Sequence, residues 1–358
     1  MIIRTFAHQG QIGYCMELGI STFGDVQPDG TPGNAVHAHQ RMKELLAEIK
    51  LADEVGLDVF ALGEHHRPDF VISAPVVILG AAAAITKNIK LSTSVIVLSS
   101  ADPVRVFQDF ATLDLISDGR AEIMAGRGSF IESFPLFGYD LNDYDALFTE
   151  KLDLLLKIIA TEKISWKGKF RSPIHNQGIY PRPYQSTLPV WLAVGGTPAS
   201  AVRAGQLNLP MTIALLGGTP EQFVPLVELY RKSAKEAGHD ADKLPLAISS
   251  QFHVGATSEG AADEFYPSYE MLMNRIGKER GWAPLDRRQF EILRKSGPLV
   301  VGSEQQVIDK IMHQYELFHH TRFLAQLVTG HIPHAQVMRS IELFGTKVAP
   351  VIRKELGK

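Results

Sequence analysis

The sequence is poor in the features that mark several common protein classes, and each shortage excludes something. A single cysteine, Cys15, leaves no partner for an intrachain disulfide and rules out a zinc site built from several cysteines. No dense run of lysine and arginine occurs, and the formal net charge is −3, so a nucleic-acid partner is not indicated. The longest nearly apolar run, Val71–Ile85, is shorter than the ~20 residues of a membrane span and is interrupted by Ser73 and Pro75. We therefore expect no binding to nucleic acid and no membrane segment.

The first residues also lack a secretion signal. Met1–Ile3 are followed by Arg4, and the apolar stretch of about seven or more residues that secretory signals contain does not follow. The expectation is a cytoplasmic protein, and its single cysteine fits a reducing compartment.

What is present is an ordinary globular composition. Hydrophobic residues make up 45% and charged residues 21% of the 358-residue chain, which argues against disorder. A chain of this length can hold two or three domains, or one α/β barrel with insertions. Because no shift in composition marks a boundary, we predict one domain over residues 16–358, preceded by an N-terminal extension, residues 1–15, that shows no hydrophobic period.

A short apolar strand followed by an amphipathic helix is the dominant pattern. Eight such units can be counted, and eight favour a (β/α)8 TIM barrel, which is an α/β fold, over a doubly wound sheet. The predicted strands are Leu18–Phe23, Asp58–Leu62, Ile89–Leu98, Arg120–Ala125, Val190–Val194, Pro210–Leu215, Leu246–Val254 and Arg322–Val328. The predicted helices are Arg41–Val55, Pro75–Thr86, Pro103–Ile116, Tyr144–Ala160, Pro198–Gln206, Glu221–Ala237, Glu304–Phe318 and Ala335–Val348.

Two stretches do not fit the repeat and are predicted to be insertions. Lys163–Pro189, after the fourth helix, holds Trp166, Phe170 and four prolines. Tyr266–Pro298, between the seventh and eighth strands, is long and charged. In barrels such excursions build loops around the active site, so both are candidate lid segments.

The densest cluster of chemically active side chains is Glu64-His65-His66-Arg67, directly after the second strand. In a barrel this is the C-terminal face, where active sites lie. A solvated polar loop is an equally simple interpretation. A metal site would need a third ligand, which His37 or His39 could supply, although no HExxH motif or cysteine partner is present.

Two further motifs suit the binding of an anion. Gly126-Arg127-Gly128 follows the fourth strand, where flanking glycines let a guanidinium and the backbone approach one anion together. The run from Gly195 and Gly196 to Ser200 follows the fifth strand and enters a helix, whose first amide groups can bind phosphate. The simpler interpretation of the first motif is a plain turn, and that of the second is a turn with a helix cap. On the third strand, Ser94–Val97 alone indicates only a core strand.

Taken in order, these segments resemble the bacterial luciferase family of flavin-dependent monooxygenases. The resemblance is carried by Gly63-Glu64-His65-His66, Leu91–Leu98, Asp102-Pro103-Val104-Arg105, Leu113–Arg120 and Gly126-Arg127-Gly128. Their order and spacing match over residues 16 to 218, the segment from Phe323 to Pro350 is similar, and the insertion at 266–298 matches least.

The resemblance implies a TIM barrel that binds reduced FMN, delivered by a separate flavin reductase, and activates O2 to oxidise a small organic substrate. His65 falls on the catalytic histidine of the family, and Arg127 on its phosphate-binding arginine. The remaining implied FMN contacts are Gly195, Gly196 and Ser200 in a second phosphate loop, and Ser94–Val95, a cis peptide bond under the flavin ring. Family members are commonly homodimers. Where the luciferase α chain has a reactive cysteine this chain has Gly126, so light emission is not implied.

Two other functions stay open at this point. The same superfamily contains deazaflavin-dependent oxidoreductases, which transfer hydride without O2. A protein that binds FMN without catalysis is also compatible with the sequence. The substrate cannot be deduced, since the loops that form its pocket cannot be placed.

Overall fold

The computed structural model describes residues 16–26, 35–128, 130–328, 330 and 332–357. The predicted extension, residues 1–15, lies outside the described residues. The strands are β1 Glu17–Thr22, β2 Val59–Leu62, β3 Lys90–Thr93, β4 Ile96–Val97, β5 Ile123–Gly126, β6 Lys163–Trp166, β7 Ile174–Gly178, β8 Val190–Val194, β9 Met211–Leu215, β10 Leu246–Val254, β11 Val300–Gly302 and β12 Arg322–Leu327.

Parallel strands form a nearly closed barrel. The sheet runs in the order β3-β2-β1-β12-β10-β9-β8-β5-β4, and β11 pairs with β10 beside this path. Its two ends, β3 and β4, are successive parts of the third predicted strand, and a parallel bridge from Leu91 to Ala121 also spans the gap. The predicted α/β TIM barrel is thereby confirmed.

Helices surround the barrel. They are α1 Ala35–Glu54, α2 Pro75–Ala83, α3 Pro103–Ile116, α4 Ser133–Leu136, α5 Tyr144–Ala160, α6 Pro198–Gln206, α7 Val224–Glu236, α8 Ser258–Arg280, α9 Arg287–Lys295, α10 Glu304–Phe318, α11 His334–Leu343 and α12 Ala349–Glu355. None of the described helices is long and apolar enough to span a membrane.

Several predicted elements differ from the structure in their bounds, and three differ in kind. Ile89–Leu98 is not one strand, because pairing is interrupted at Ser94–Val95. The last helix passes through a π-helical turn, Phe344–Val348, before α12 begins. The second insertion is largely helical: its first fifteen residues, 266–280, belong to α8, where Phe265, Tyr269 and Leu272 recur at helical spacing and are buried.

The first insertion is an antiparallel hairpin of β6 and β7, so it has regular structure of its own.

Charged side chains close the N-terminal end of the barrel. Arg322, at the start of β12, is 1% exposed and donates hydrogen bonds to the carboxylates of Glu17 and Glu122. Its guanidinium lies 4.1 Å from the centroid of the Trp191 ring. This end is therefore filled, and the opposite end, at the carboxyl ends of the strands, is where a cleft can form.

Candidate functional site

A cleft of about 410 Å³ opens at the carboxyl ends of the barrel strands. Most of the predicted site residues line it, namely His65, Ser94, Val95, Arg127 and Gly195, together with Glu64 and Gly126. Thr197, from the predicted run that ends at Ser200, also lines the cleft, and the lining side chains that the sequence did not indicate include Phe23, Met124, Tyr144, Thr212, Ser249, Arg280 and Gln326. The structure therefore brings together segments that lie up to 303 residues apart in the chain (23 to 326).

His65 lies in an aromatic part of this cleft. Its ring centroid is 4.5 Å from that of Phe23, 4.6 Å from Phe70 and 5.0 Å from Phe130. The side chain is buried, and its Nε2 has no hydrogen-bond partner among the described residues. Burial lowers the pKa of His65 to about 4, so the imidazole is neutral at neutral pH. A neutral ring can donate or accept one proton at a ligand, which suits acid–base chemistry.

His66 has a different role from its neighbour. Its Nε2 is 2.7 Å from Oε1 of Glu64, whereas the second carboxylate oxygen, Oε2, accepts a 2.9 Å hydrogen bond from the backbone N–H of Val97. The backbone N–H of Glu64 also donates to the carbonyl of Val95. The buried carboxylate of Glu64 thus joins the end of β2 to the segment after β3, and it is His66, not His65, that it contacts.

The segment between β3 and β4 lies against the end of β5. The Ser94–Val95 peptide bond is cis, which confirms the conformation that the family resemblance implies. A Cβ atom on Gly126 would lie only 2.6 Å from Cγ2 of Val95, and one on Gly63 would lie 2.7 Å from the carbonyl oxygen of Ser94. Glycine at both positions therefore allows the chain segments to pack this closely.

The predicted anion site gathers at Arg127. Nη2 of Arg127 donates to Oγ of Ser200 at 3.1 Å and to Oγ1 of Thr197 at 3.3 Å. Both hydroxyls stand at the start of α6, where Pro198 has no N–H and the N–H of Ser200 donates to the carbonyl of Thr197. Gly196, with φ of +110°, makes the turn into this helix, and Gly195 has open space around its Cα. A guanidinium, two hydroxyls and a helix N-terminus together suit a phosphate.

A carboxylate competes for the same guanidinium. Asp145, which is 75% exposed, accepts a 2.6 Å hydrogen bond from Nη1 of Arg127. The ring of Tyr144 lies under Arg127 at 5.2 Å, and its hydroxyl donates to the carbonyl of Gly128. The ring of Tyr144 packs against the arginine, whereas the side chain of Asp145 faces solvent.

Arg67, the last residue of the sequence cluster, connects the second insertion to the cleft. It donates to Glu132 at 2.7 Å and to Glu279 near the end of α8 at 2.5 Å. Its guanidinium lies 4.5 Å from the centroid of Phe130, whose ring also contacts His65. The insertion at 266–298 therefore covers the aromatic side of the cleft, and Arg280 lines it directly.

Metal binding through the histidine cluster receives no support. Among the described residues, no group of three or more His, Cys, Asp or Glu side chains is arranged to hold a metal ion.

Comparison with known proteins agrees with this geometry. The family described as luciferase-like monooxygenase matches residues 16–321. The alkanal monooxygenase alpha chain of Photorhabdus laumondii is 32% identical over 253 residues, which cover 67% of this chain and 70% of that protein.

Solved structures share the fold over almost the whole chain. A monooxygenase from Streptomyces bottropensis gives a TM-score of 0.83 at 24% identity, covering 94% of this chain and 99% of that one. The oxygenating constituent of 3,6-diketocamphane monooxygenase from Pseudomonas putida, in complex with FMN, gives a TM-score of 0.78 at 22% identity. The match covers 94% of this chain and 98% of that one. An F420-dependent secondary alcohol dehydrogenase gives a TM-score of 0.74 at 17% identity, covering 94% of this chain and 99% of that one. Proteins with different cofactors therefore share this fold.

Proposed function

Because the chain belongs to the luciferase-like monooxygenase family, we propose that it oxidises a small organic substrate with O2 and reduced FMN, which a separate flavin reductase supplies. In this reaction bound reduced flavin supplies two electrons, so that one oxygen atom enters the substrate and the other leaves as water. The observation that supports the proposal most strongly is the meeting of an unpartnered, neutral His65 and the Arg127 anion site in one cleft.

The side chains fit FMN in two respects. Arg127, Thr197 and Ser200 would hold the terminal phosphate, with the guanidinium giving a charge-assisted contact and the hydroxyls adding neutral ones. Nε2 of His65, buried among aromatic rings, is an unpartnered polar atom that a ligand in this cleft would satisfy.

His65 is the residue for which we propose a catalytic role. Its lowered pKa keeps it uncharged at working pH, so it can hold or move a proton without placing a buried positive charge beside the cofactor. Phe23, Phe70 and Phe130 keep water from its ring, and exclusion of water favours oxygen transfer to substrate over release of hydrogen peroxide.

The wider setting is also proposed. We propose a cytoplasmic homodimer in which residues 16–358 form one domain per protomer. Analytical ultracentrifugation of the purified chain tests the dimer, for which a mass of one protomer would be the contrary result.

The function is tested by asking which cofactor binds and where the oxygen goes. The protein is titrated without oxygen with reduced FMN and, separately, with reduced F420, and binding is followed by tryptophan fluorescence. It is then supplied with NADH, a flavin reductase, 18O2 and a panel of ketones, alkenes and aldehydes. We expect tighter binding of reduced FMN and one 18O atom in a product.

Two results would contradict the proposal. Preferred binding of F420 with substrate reduction or oxidation in the absence of O2 would indicate a deazaflavin-dependent oxidoreductase. Tight FMN binding with no O2-dependent product across the panel, and hydrogen peroxide formation no faster than that of free flavin, would indicate a flavin-binding protein.

A further inference from the structure

One wall of the cleft contains a buried hydroxyl group that has no partner. Thr212, on β9, lines the cleft and is 4% exposed. Its Oγ1 has no hydrogen-bond partner in the part of the chain that the structure describes. A buried polar group left in this state destabilises a protein, and folded proteins keep few such groups unless a ligand or a water satisfies them.

The neighbours of Thr212 explain why it is unpartnered. In the parallel register Thr212 pairs with Ala193 on β8 and with Ala247 on β10. Laterally paired residues point to the same side of a sheet, so both neighbours of the hydroxyl inside the barrel are alanines. Alanine offers no polar atom and leaves space beside the threonine. Neither lateral neighbour can therefore satisfy the hydroxyl, whereas a ligand in the cleft that Thr212 lines could do so.

Thr212 belongs to a larger polar wall. Ser249 on β10 and Gln326 on β12 also line the cleft and are almost fully buried. Ser21 and Gln251 pair with Gln326 in register, and Ser21 Oγ and Gln251 Oε1 likewise lack partners among the described residues. None of these five side chains carries a charge. In the barrel order β9 lies four strands from β2, which His65 follows, so Thr212 stands across the barrel from the histidine and the rings around it.

We propose that Thr212 hydrogen-bonds a neutral polar edge, of amide or carbonyl type, of a ligand bound in this cleft. A neutral group fits better than a charged one, because none of the five side chains of the wall is ionised and could offset the burial of a charge. Two sources carry this chemistry: the imide edge of the flavin ring, and a carbonyl of the organic substrate. The inference rests on the proposed function, since both ligands belong to it.

The test uses the opposite effects that the proposal predicts for stability and for binding. In Thr212→Val the shape of the side chain is nearly kept but the hydroxyl is lost. Because an unsatisfied buried group is removed, the ligand-free variant should melt at the wild-type temperature or higher. The dissociation constant of the ligand that contacts Thr212 should rise about three- to tenfold, the loss of one neutral hydrogen bond. Thr212→Ser, which keeps the hydroxyl, should bind with close to wild-type affinity.

Ser99 provides a matched control. Its Oγ is also buried and unpartnered among the described residues, but Ser99 is not among the cleft-lining side chains. Ser99→Ala should therefore leave both ligand affinities unchanged.

Two titrations distinguish the sources. The first measures reduced FMN binding without oxygen. The second measures binding of cyclohexanone and of methylenecyclohexane, which has the same shape without the carbonyl oxygen, to the protein loaded with reduced FMN. Weaker FMN binding by Thr212→Val assigns the contact to the flavin. Unchanged FMN binding, with loss of a wild-type preference for the ketone, assigns it to the substrate.

The inference is overturned if Thr212→Val binds FMN as tightly as wild type and both proteins prefer the ketone to the same degree. It is equally overturned if the two proteins bind FMN with equal affinity and wild type shows no preference for the ketone. It is also overturned if the ligand-free variant melts at a clearly lower temperature, since the hydroxyl would then have a structural partner, such as a resident water. Failure of wild type to bind reduced FMN would instead refute the proposed function, and this inference with it.

Discussion

Arg127→Ala should weaken the binding of reduced FMN without weakening that of reduced riboflavin. In the structure Arg127 is 21% exposed and its Nη2 points to the two hydroxyls at the start of α6, where a phosphate would receive all three donors. Removal of one charge-assisted contact is worth about 1.5–3 kcal/mol, which corresponds to roughly a 10- to 150-fold rise in the dissociation constant. Binding should survive at this reduced level, because Thr197, Ser200 and the helix N-terminus remain.

Riboflavin is the internal control, since it has the same ring and no phosphate. Both flavins are titrated without oxygen into wild type, Arg127→Ala and Asp145→Asn. Asp145→Asn should tighten FMN binding and leave riboflavin unchanged, because the carboxylate that competes for Arg127 at 2.6 Å is then neutral. Equal losses of FMN and riboflavin affinity in Arg127→Ala would refute the reasoning, since they would mean that the arginine supports the ring pocket or the fold and not the phosphate.

Three further predictions concern stability. Burial lowers the pKa of His65 from 6.5 to about 4. Between pH 6.5 and pH 4 the histidine is therefore protonated in the unfolded chain but not in the folded protein. The free energy of unfolding falls as the pH drops through this range. Between pH 7 and pH 5 the free energy of unfolding, measured with urea, should therefore fall by roughly 2 kcal/mol less in His65→Gln than in wild type. An equal fall in both proteins would contradict the burial argument. Glu122→Gln removes a charged partner of the buried Arg322 and should lower the free energy of unfolding by roughly 1–3 kcal/mol, measured at pH 7. Gly126→Ala should lower the free energy of unfolding by about 1–3 kcal/mol, because the new methyl group overlaps with Val95. Val95→Ala in the same chain should restore part of the lost melting temperature. If it restores none, the overlap is not the cause.

The repeating elements could be predicted from the sequence because their signal is local. Helices α3, α5, α6 and α10 and strands β8 and β10 have the predicted bounds, each fixed by a proline, a cap or a clean apolar run. The break between β3 and β4 could not be found in this way, because Ile89–Leu98 has the residue types of one continuous strand and contains no proline or glycine. Only the resemblance to a known family pointed to Ser94–Val95.

The site was predictable only where its residues form a compact motif. Arg127 and Ser200 lie in short glycine-containing runs, and in the structure Nη2 of Arg127 is 3.1 Å from Oγ of Ser200. Asp145, which pairs with Arg127, and Thr212, which lies on a strand of core-like composition, have no local signal. Their importance comes from the register of the barrel, which decides what stands beside a side chain across strands far apart in sequence.

Gly126 shows how such a cross-strand contact changes the meaning of a single position. The family resemblance places a reactive cysteine of the luciferase α chain at this residue, and taken alone the glycine is simply the loss of a thiol. In the barrel, the space that a side chain on residue 126 would need is occupied by the side chain of Val95, which also lines the cleft. The side chain of Val95, between β3 and β4, therefore occupies the space beside the end of β5, and residues 95 and 126 have to be compatible with each other. The chemistry and shape of the cleft at this point follow from the pair, so neither residue can be interpreted without the other.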